Sequence, residues 1–304
     1  MTSETPVFIP FREERLAAVI TEPDSHPRAL ILLLQGLGSP RSHRNQLWTR
    51  IARALAAEGF ASVRLDWPEV GDSTGSFPAE LDSPPAEEAI AVTQMALDAL
   101  GLDRVGIIGN CLGARTALVV ASRLEACTSI ACIVEGSPAS LLRGEGKTAP
   151  HRAAKRMAGH VPRLAKKVRR ILRTRRIQPR MRFVPEVSSA LRAADLMFLF
   201  LGSETAARRL ERSIAGLAGT ADAHGRAEVR LIPTGAAFGM RLSVDLQPTV
   251  IDALIEWMDE SFSLAPVGED HAVGRLGVDR TVPVHAEDRG PVAAAQRPDV
   301  GKEP

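Results

Sequence analysis

The run Val105-Gly106-Ile107-Ile108-Gly109-Asn110-Cys111-Leu112-Gly113-Ala114-Arg115-Thr116-Ala117-Leu118 constrains the fold more than any other stretch of the chain. An apolar segment bounded by glycine reads as a buried strand. The apolar spacing from Leu112 onward reads as the start of a helix, which leaves only a tight turn between the two. Gly109 and Gly113 stand two positions to either side of Cys111. That spacing fits a sharp strand-to-helix turn whose central residue is strained, and a side chain at either flanking position would collide with the neighbouring strand or helix. Cys111 is then expected to project above the sheet at a helix N-terminus. There unpaired amides and the helix dipole favour a thiolate, and the Leu112 N–H can donate to an oxyanion. The plainer alternative is that Cys111 is a small apolar residue in a buried turn.

Around this turn, strand-length apolar runs alternate with helical patterns from about Pro6 to Phe262. This is the sequence form of an α/β domain, a largely parallel sheet covered by helices. Phe8 to Phe11 and Leu16 to Ile20 read as an opening antiparallel pair, and Ala29 to Gln35 as the first strongly buried strand. Later strands are expected at Ala61 to Asp66, Arg104 to Gly109, Ser129 to Val134, Asp195 to Leu201 and Ala227 to Pro233. Helices fit at Arg44 to Glu58, Glu87 to Leu100, Leu112 to Leu124, Thr205 to Leu217 and Ser243 to Phe262. Two segments break the rhythm. Ser140 to Val184 carries fifteen Lys or Arg residues against one acid, Glu145, and reads as a basic helical insertion. The segment from about Ala265 to Pro304 is rich in Pro, Gly, Ala and charge without hydrophobic period, and is expected to be a disordered tail. The chain therefore reads as one domain over residues 1–264, with an insertion at about 140–190, followed by a tail at 265–304.

A chain of 304 residues with 45% hydrophobic content can bury a substantial core. Its formal net charge of +2 is the difference of two nearly equal totals, so global charge selects no polyanionic partner. Cys111, Cys127 and Cys132 are too few and too irregularly spaced for a disulfide framework or a zinc site. A reducing compartment is the natural setting, and neither a metal nor another cofactor is expected. Met1 to Pro10 lacks the pattern of a signal peptide, and no stretch approaches the roughly 18 apolar residues of a membrane span. A soluble cytoplasmic protein without a transmembrane segment is the expectation.

Several segments together resemble the α/β-hydrolase superfamily, especially the small bacterial hydrolases of the serine-aminopeptidase-like type, over about Phe8 to Phe262. Besides the Gly109–Gly113 turn, where most of that fold carries serine, Leu30-Ile31-Leu32-Leu33-Leu34-Gln35-Gly36-Leu37-Gly38 resembles the family's strand followed by His-Gly, with Gln35 in place of histidine. The resemblance makes the Leu37 N–H the second oxyanion donor. Val63-Arg64-Leu65-Asp66-Trp67-Pro68-Glu69-Val70-Gly71-Asp72-Ser73-Thr74-Gly75 looks like a further family segment of structural role, altered at its middle. Glu204, after the strand Asp195 to Leu201, falls where the family carries its triad acid; as an ordinary residue it would be a solvated glutamate at a helix start. The resemblance also implies that the basic insertion is a lid above the nucleophile.

The family's histidine belongs in the loop after the last strand, which here reads Thr234-Gly235-Ala236-Ala237-Phe238-Gly239-Met240. Ala237 occupies what looks like its position. His224 and His26 fall at the opposite edge of the sheet, and His271 and His285 in the tail. His43, after the first buried strand, and His151 and His160, in the insertion, are the remaining candidates, each with an ordinary surface histidine as the alternative. A cysteine depends less on a general base than a serine does, but an acyl enzyme still needs a group that activates water or an acceptor. Slow release by water is expected, which favours acyl transfer or inactivity.

The expected chemistry is hydrolysis or transfer of an ester, thioester or lactone acyl group through Cys111, with Leu112 and Leu37 as oxyanion donors and Glu204 or His43 in support. The contrasting expectation is a catalytically silent member of the fold that binds a ligand or partner through its pocket and lid. Lys166, Lys167, Arg169 and Arg170 would recognise an anionic partner: an acyl group linked to coenzyme A or a carrier protein, or anionic lipid. Nucleic acid is disfavoured, because the segment has little aromatic interleaving and no base-reading module around it. A solvated arginine-rich face is the plainer reading of the same charge.

Overall fold

The computed structural model describes residues 2–36, 38–76, 84–135, 185–218, 225–234 and 244–263. Eight strands form one sheet: β1 (Ser3–Phe11), β2 (Glu14–Glu22), β3 (Leu30–Leu34), β4 (Ala61–Leu65), β5 (Val105–Asn110), β6 (Cys127–Glu135), β7 (Asp195–Gly202) and β8 (Ala227–Pro233). Their spatial order is β1-β2-β4-β3-β5-β6-β7-β8. The β1–β2 and β2–β4 pairs are antiparallel, and every pair from β4 onward is parallel. The described helices are α1 (Leu47–Ala57), α2 (Ala86–Leu100), α3 (Leu112–Ala121), α4 (Pro185–Ala193), α5 (Glu204–Ala218) and α6 (Gln247–Ser263).

The central strands are unbroken apolar runs because both of their faces are covered. Leu30, Leu32 and Leu34 of β3 join one cluster with residues of α2, α3, α4 and α5, whereas Ile31 and Leu33 join a second with residues of α1 and α6. This alternation follows from the two-residue period of a strand. The chain leaves β3 into α1 on one face and leaves the adjacent β5 into α3 on the other. Where neighbouring strands send their connections to opposite faces, the carboxyl edge opens into a crevice. The fold thus places its natural site at the ends of β3 and β5.

The expected strands from β3 onward agree with the structure within two residues. Other elements differ for physical reasons. β1 begins at Ser3 rather than Phe8, because Ser3 to Pro6 lie on an exposed edge strand and carry no burial pattern. The helix expected from Arg44 starts at Leu47, since Asn45 and Gln46 take left-handed backbone angles (φ 53° and 56°). The last helix, expected from Ser243, starts at Gln247 behind a 3-10 turn at Val244–Leu246. The sequence reading carried the insertion to about residue 190, yet Pro185–Ala193 is a helix whose Val187, Ala190 and Leu191 are fully buried in the first cluster. It belongs to the cover of the sheet. The rest of the insertion, with His151, His160, Lys166, Lys167, Arg169 and Arg170, lies outside the described residues, as do the 265–304 tail, Leu37, His224 and Ala237. Among the described residues no helix is long and apolar enough to cross a membrane.

The turn between β5 and α3 is fixed by backbone contact. A Cβ on Gly113 would lie 2.0 Å from the Leu34 carbonyl oxygen, and one on Gly109 would lie 2.4 Å from the Gly113 carbonyl oxygen. These neighbours are main chain and cannot rotate away. Gly113→Ala is therefore expected to destabilise the fold by about 3 kcal/mol, measured by urea unfolding. A loss of less than about 0.5 kcal/mol, the usual size of a neutral substitution, would contradict this account of the turn.

Candidate active site

Cys111 sits between the last residue of β5 and the first of α3 with φ 52° and ψ −117°. A non-glycine residue in this region is strained by about 1–3 kcal/mol, and persists only where its surroundings over-determine it. Here the surroundings are the two glycine contacts just described. Cys111 is exposed, while Cys127 and Cys132 are buried. Burial pushes the Cys127 thiol up to about 12, partly offset by a hydrogen bond with the Ser129 backbone, and also raises the Cys132 thiol, which donates to the Ala114 carbonyl. Those two thiols are packing groups.

The end of β3 closes on the same point. A Cβ on Gly36 would lie 3.1 Å from the Cys111 Cβ, 3.7 Å from its Sγ and 3.8 Å from Asn110 Oδ1. Gly36 therefore lets the loop after β3 pass against the turn. Leu112, as the first residue of α3, has no acceptor for its N–H within the helix. Gln35 is fully buried, and its amide donates to the Leu65 carbonyl while its own carbonyl accepts from Trp67 Nε1 at 3.1 Å. The residue that stands where the resembling family has histidine thus ties β3 to the end of β4.

Beside it, the carboxylate of the fully buried Asp66 accepts from the Arg41 guanidinium, from the Arg41 N–H at 2.6 Å and from the Asp72 N–H at 3.2 Å. Asp72 binds the same guanidinium at 2.7 Å, and these carboxylates raise the Arg41 pKa against the lowering effect of burial. Ser73 Oγ donates to the Asp66 carbonyl at 2.8 Å and accepts from the Ala17 N–H at 2.9 Å. The Asp66–Thr74 segment holds the loops after β3 and β4 in place and presents no free carboxylate.

His43 is buried against Trp48, with ring centroids 5.5 Å apart. Its Nε2 lies 3.1 Å from Asn110 Nδ2, the residue immediately before Cys111. In that arrangement the Asn110 amide donates to an unprotonated Nε2 and the ring proton resides on the buried Nδ1. Burial, the largest cause, lowers the His43 pKa below the ordinary imidazole value and so favours this neutral ring. Sequence order alone does not reveal the Asn110–His43 pair. Glu204 opens α5 with a side chain 62% exposed, in an ion pair with Arg208 one turn on. The structure places it in solvent, with Arg208 as its partner.

Glu135, which sequence reasoning passed over, ends β6 next to this site. It is partly buried, its Oε2 has no hydrogen-bond partner among the described residues, and desolvation raises its pKa from 4.5 to about 7. The signal in sequence was weak: one acid at the end of an apolar strand, directly after Ile133-Val134.

The sequence matches the family model described as alpha/beta hydrolase fold over residues 29–250. Among solved structures, an esterase of Pyrococcus furiosus is 16% identical and superposes with a TM-score of 0.54 over 84% of this chain and 91% of that one. A dienelactone hydrolase of Anabaena variabilis is 17% identical, with a TM-score of 0.53 over 86% and 98% of the two chains. An alpha-beta serine hydrolase homologue of Coxiella burnetii is 14% identical, with a TM-score of 0.53 over 82% and 97%. At such identities the likeness shows the fold. No curated protein matches the chain by sequence.

The difference in exposure among the three thiols predicts their order of reaction. Iodoacetamide at neutral pH should alkylate Cys111 in the folded protein while Cys127 and Cys132 react only after denaturation, as read by peptide mapping. Alkylation of Cys132 in advance of Cys111 would contradict the geometry.

Proposed function

Because the chain belongs to the alpha/beta hydrolase family, we propose that it carries out acyl chemistry with Cys111 as the nucleophile. The observation that carries this reading is the exposed Cys111 at φ 52°, held in a strained turn at the carboxyl ends of the paired strands β3 and β5. A thiol so placed attacks the carbonyl carbon of an ester, thioester or lactone. The Leu112 N–H, and the Leu37 N–H from the loop after β3, receive the developing oxyanion; each such donor contributes on the order of 3 kcal/mol in transition states of this kind. The leaving alcohol or thiol departs, and the acyl group passes to water or to another acceptor. Asn110, hydrogen-bonded to neutral His43, steadies the strand end from which Cys111 springs. The similar Pyrococcus furiosus esterase and Anabaena variabilis dienelactone hydrolase support this choice of bond. The basic segment 140–184 supports an anionic acyl donor, such as one linked to coenzyme A or to an acidic carrier protein.

A second reading is favoured by one specific observation: Thr234 to Met240, where the family's histidine belongs, contains none. In that reading the fold binds its ligand without turning it over.

Intact-mass measurement after incubation with p-nitrophenyl acetate separates the two. The proposal predicts an added acetyl group on the wild-type chain that maps to Cys111 and is absent from Cys111→Ala. A chain that stays unmodified, or an adduct that survives in Cys111→Ala, would overturn it.

A further inference from the structure

A set of buried polar atoms without partners gathers at the carboxyl edge of the sheet, on the face covered by α1 and α6. Among the described residues they include Gln35 Oε1, Asn110 Oδ1, Glu135 Oε2, Thr234 Oγ1 and Gln247 Oε1. Buried polar atoms in folded proteins are nearly always paired, so such a group calls for a catalytic or water-binding explanation. Strand parity assigns the face. Ile108 and Ile133 both belong to the α1 and α6 cluster, and Asn110 and Glu135 each follow two residues later on the same strands.

The ladder fixes how near Glu135 stands to the turn. Asn110 pairs with Ile133 across β5 and β6, so Glu135 is two residues beyond that rung, while Cys111 follows it by one residue in the turn after β5. Parallel neighbours run about 4.8 Å apart with a rise near 3.3 Å per residue. On the other side, Glu135 is level with Leu201 of β7, an apolar residue. Among the described residues, the titratable groups that strand register brings nearest to it are Cys111 and, beyond Asn110, His43.

Two other acids singled out above are engaged. Asp66 is occupied by Arg41 and by loop amides, and Glu204 by Arg208 in solvent. The His43 Nε2 is taken by Asn110. Glu135 alone among these carboxylates keeps a buried oxygen without a partner beside Cys111.

We propose that Glu135 is the general base of the step that releases the acyl group from Cys111, the role for which the chain has no histidine after β8. This inference rests on the acyl-enzyme reading above. Glu135 carboxylate takes a proton from water as the water oxygen bonds to the acyl carbon, and the carbonyl electrons move to the oxyanion. The tetrahedral adduct then re-forms the carbonyl, the carbon–sulfur bond breaks with its electron pair on Sγ, and the carboxylic acid leaves. The proton on Glu135 returns to the thiolate, which restores both groups. No oxidant, reductant or metal enters. A carboxyl that titrates at about 7 is half in its basic form at neutral pH, the range in which a general base works best.

The test uses the full chain and p-nitrophenyl acetate in single-turnover mode, following acetylation of Cys111 and its loss by rapid-quench mass spectrometry. Glu135→Gln should acetylate within about twofold of the wild-type rate but lose the acetyl group ~100-fold or more slowly, the usual size of a general-base contribution. In the wild type, loss should rise with pH through an inflection near 7, because only the carboxylate accepts the proton. Loss from Glu135→Gln at the wild-type rate would overturn the role of Glu135 and leave the acyl-enzyme reading intact. An inflection well below 6.5 that vanishes in His43→Gln would also overturn it, by assigning the base to His43. A wild-type chain that never acetylates would remove the reading beneath both. Should Glu135→Gln fail to fold, as judged by circular dichroism, the wild-type pH profile with His43→Gln decides alone.

Discussion

The approach of Gly113 to the carbonyl oxygen of Leu34 is the constraint on which the rest of the site depends. It presses the first turn of α3 against the end of β3, where Cys111 sits between the two close glycine contacts at φ 52°. The strain of that conformation, about 1–3 kcal/mol, is small beside the burial of the unbroken apolar strands β3, β5 and β6 around it. A residue held this way cannot relax into the sheet. Its side chain is therefore presented at the carboxyl edge, in a crevice that the opposite departures of α1 and α3 create.

Around that point the chain distributes its polar groups unevenly, and the unevenness carries the functional argument. In the loops after β3 and β4, Asp66, Asp72, Ser73 and Arg41 satisfy one another and lock those loops together. Gln35, Asn110, Glu135, Thr234 and Gln247 each keep a buried atom with no hydrogen-bond partner among the described residues. A network of the first kind stabilises a scaffold, whereas atoms of the second kind are costly unless substrate or water meets them. The same neighbourhood holds the exposed thiol, so reactivity and unmet hydrogen-bonding capacity coincide.

Much of this was legible in the sequence. The apolar runs that became β3 to β8 could be read because each strand is covered on both faces, and Gly109-Asn110-Cys111-Leu112-Gly113 announced its turn because only glycine tolerates backbone at 2.0–2.4 Å. Gln35 reads as a departure from a familiar pattern, but in space its amide reaches Leu65 and does the work of a strap. Glu135 was invisible for a different reason. A single acid ending a strand gains meaning only when the neighbouring strand's register sets it on the same face as Asn110, two residues further along, with an oxygen that has no partner among the described residues. The pairing of His43 with Asn110 joins residues 67 positions apart, and no local pattern encodes it.

The central claim is that the strained turn presents the Cys111 sulfur to an acyl carbon within reach of the α3 N-terminus. A crystal structure of the chain trapped with an acyl-enzyme-forming ester bears on it most directly. The account predicts density continuous with Cys111 Sγ and a carbonyl oxygen within hydrogen-bonding distance of the Leu112 N–H. A ligand that occupies the crevice with Sγ unmodified, or an adduct whose oxygen points away from α3, would contradict it.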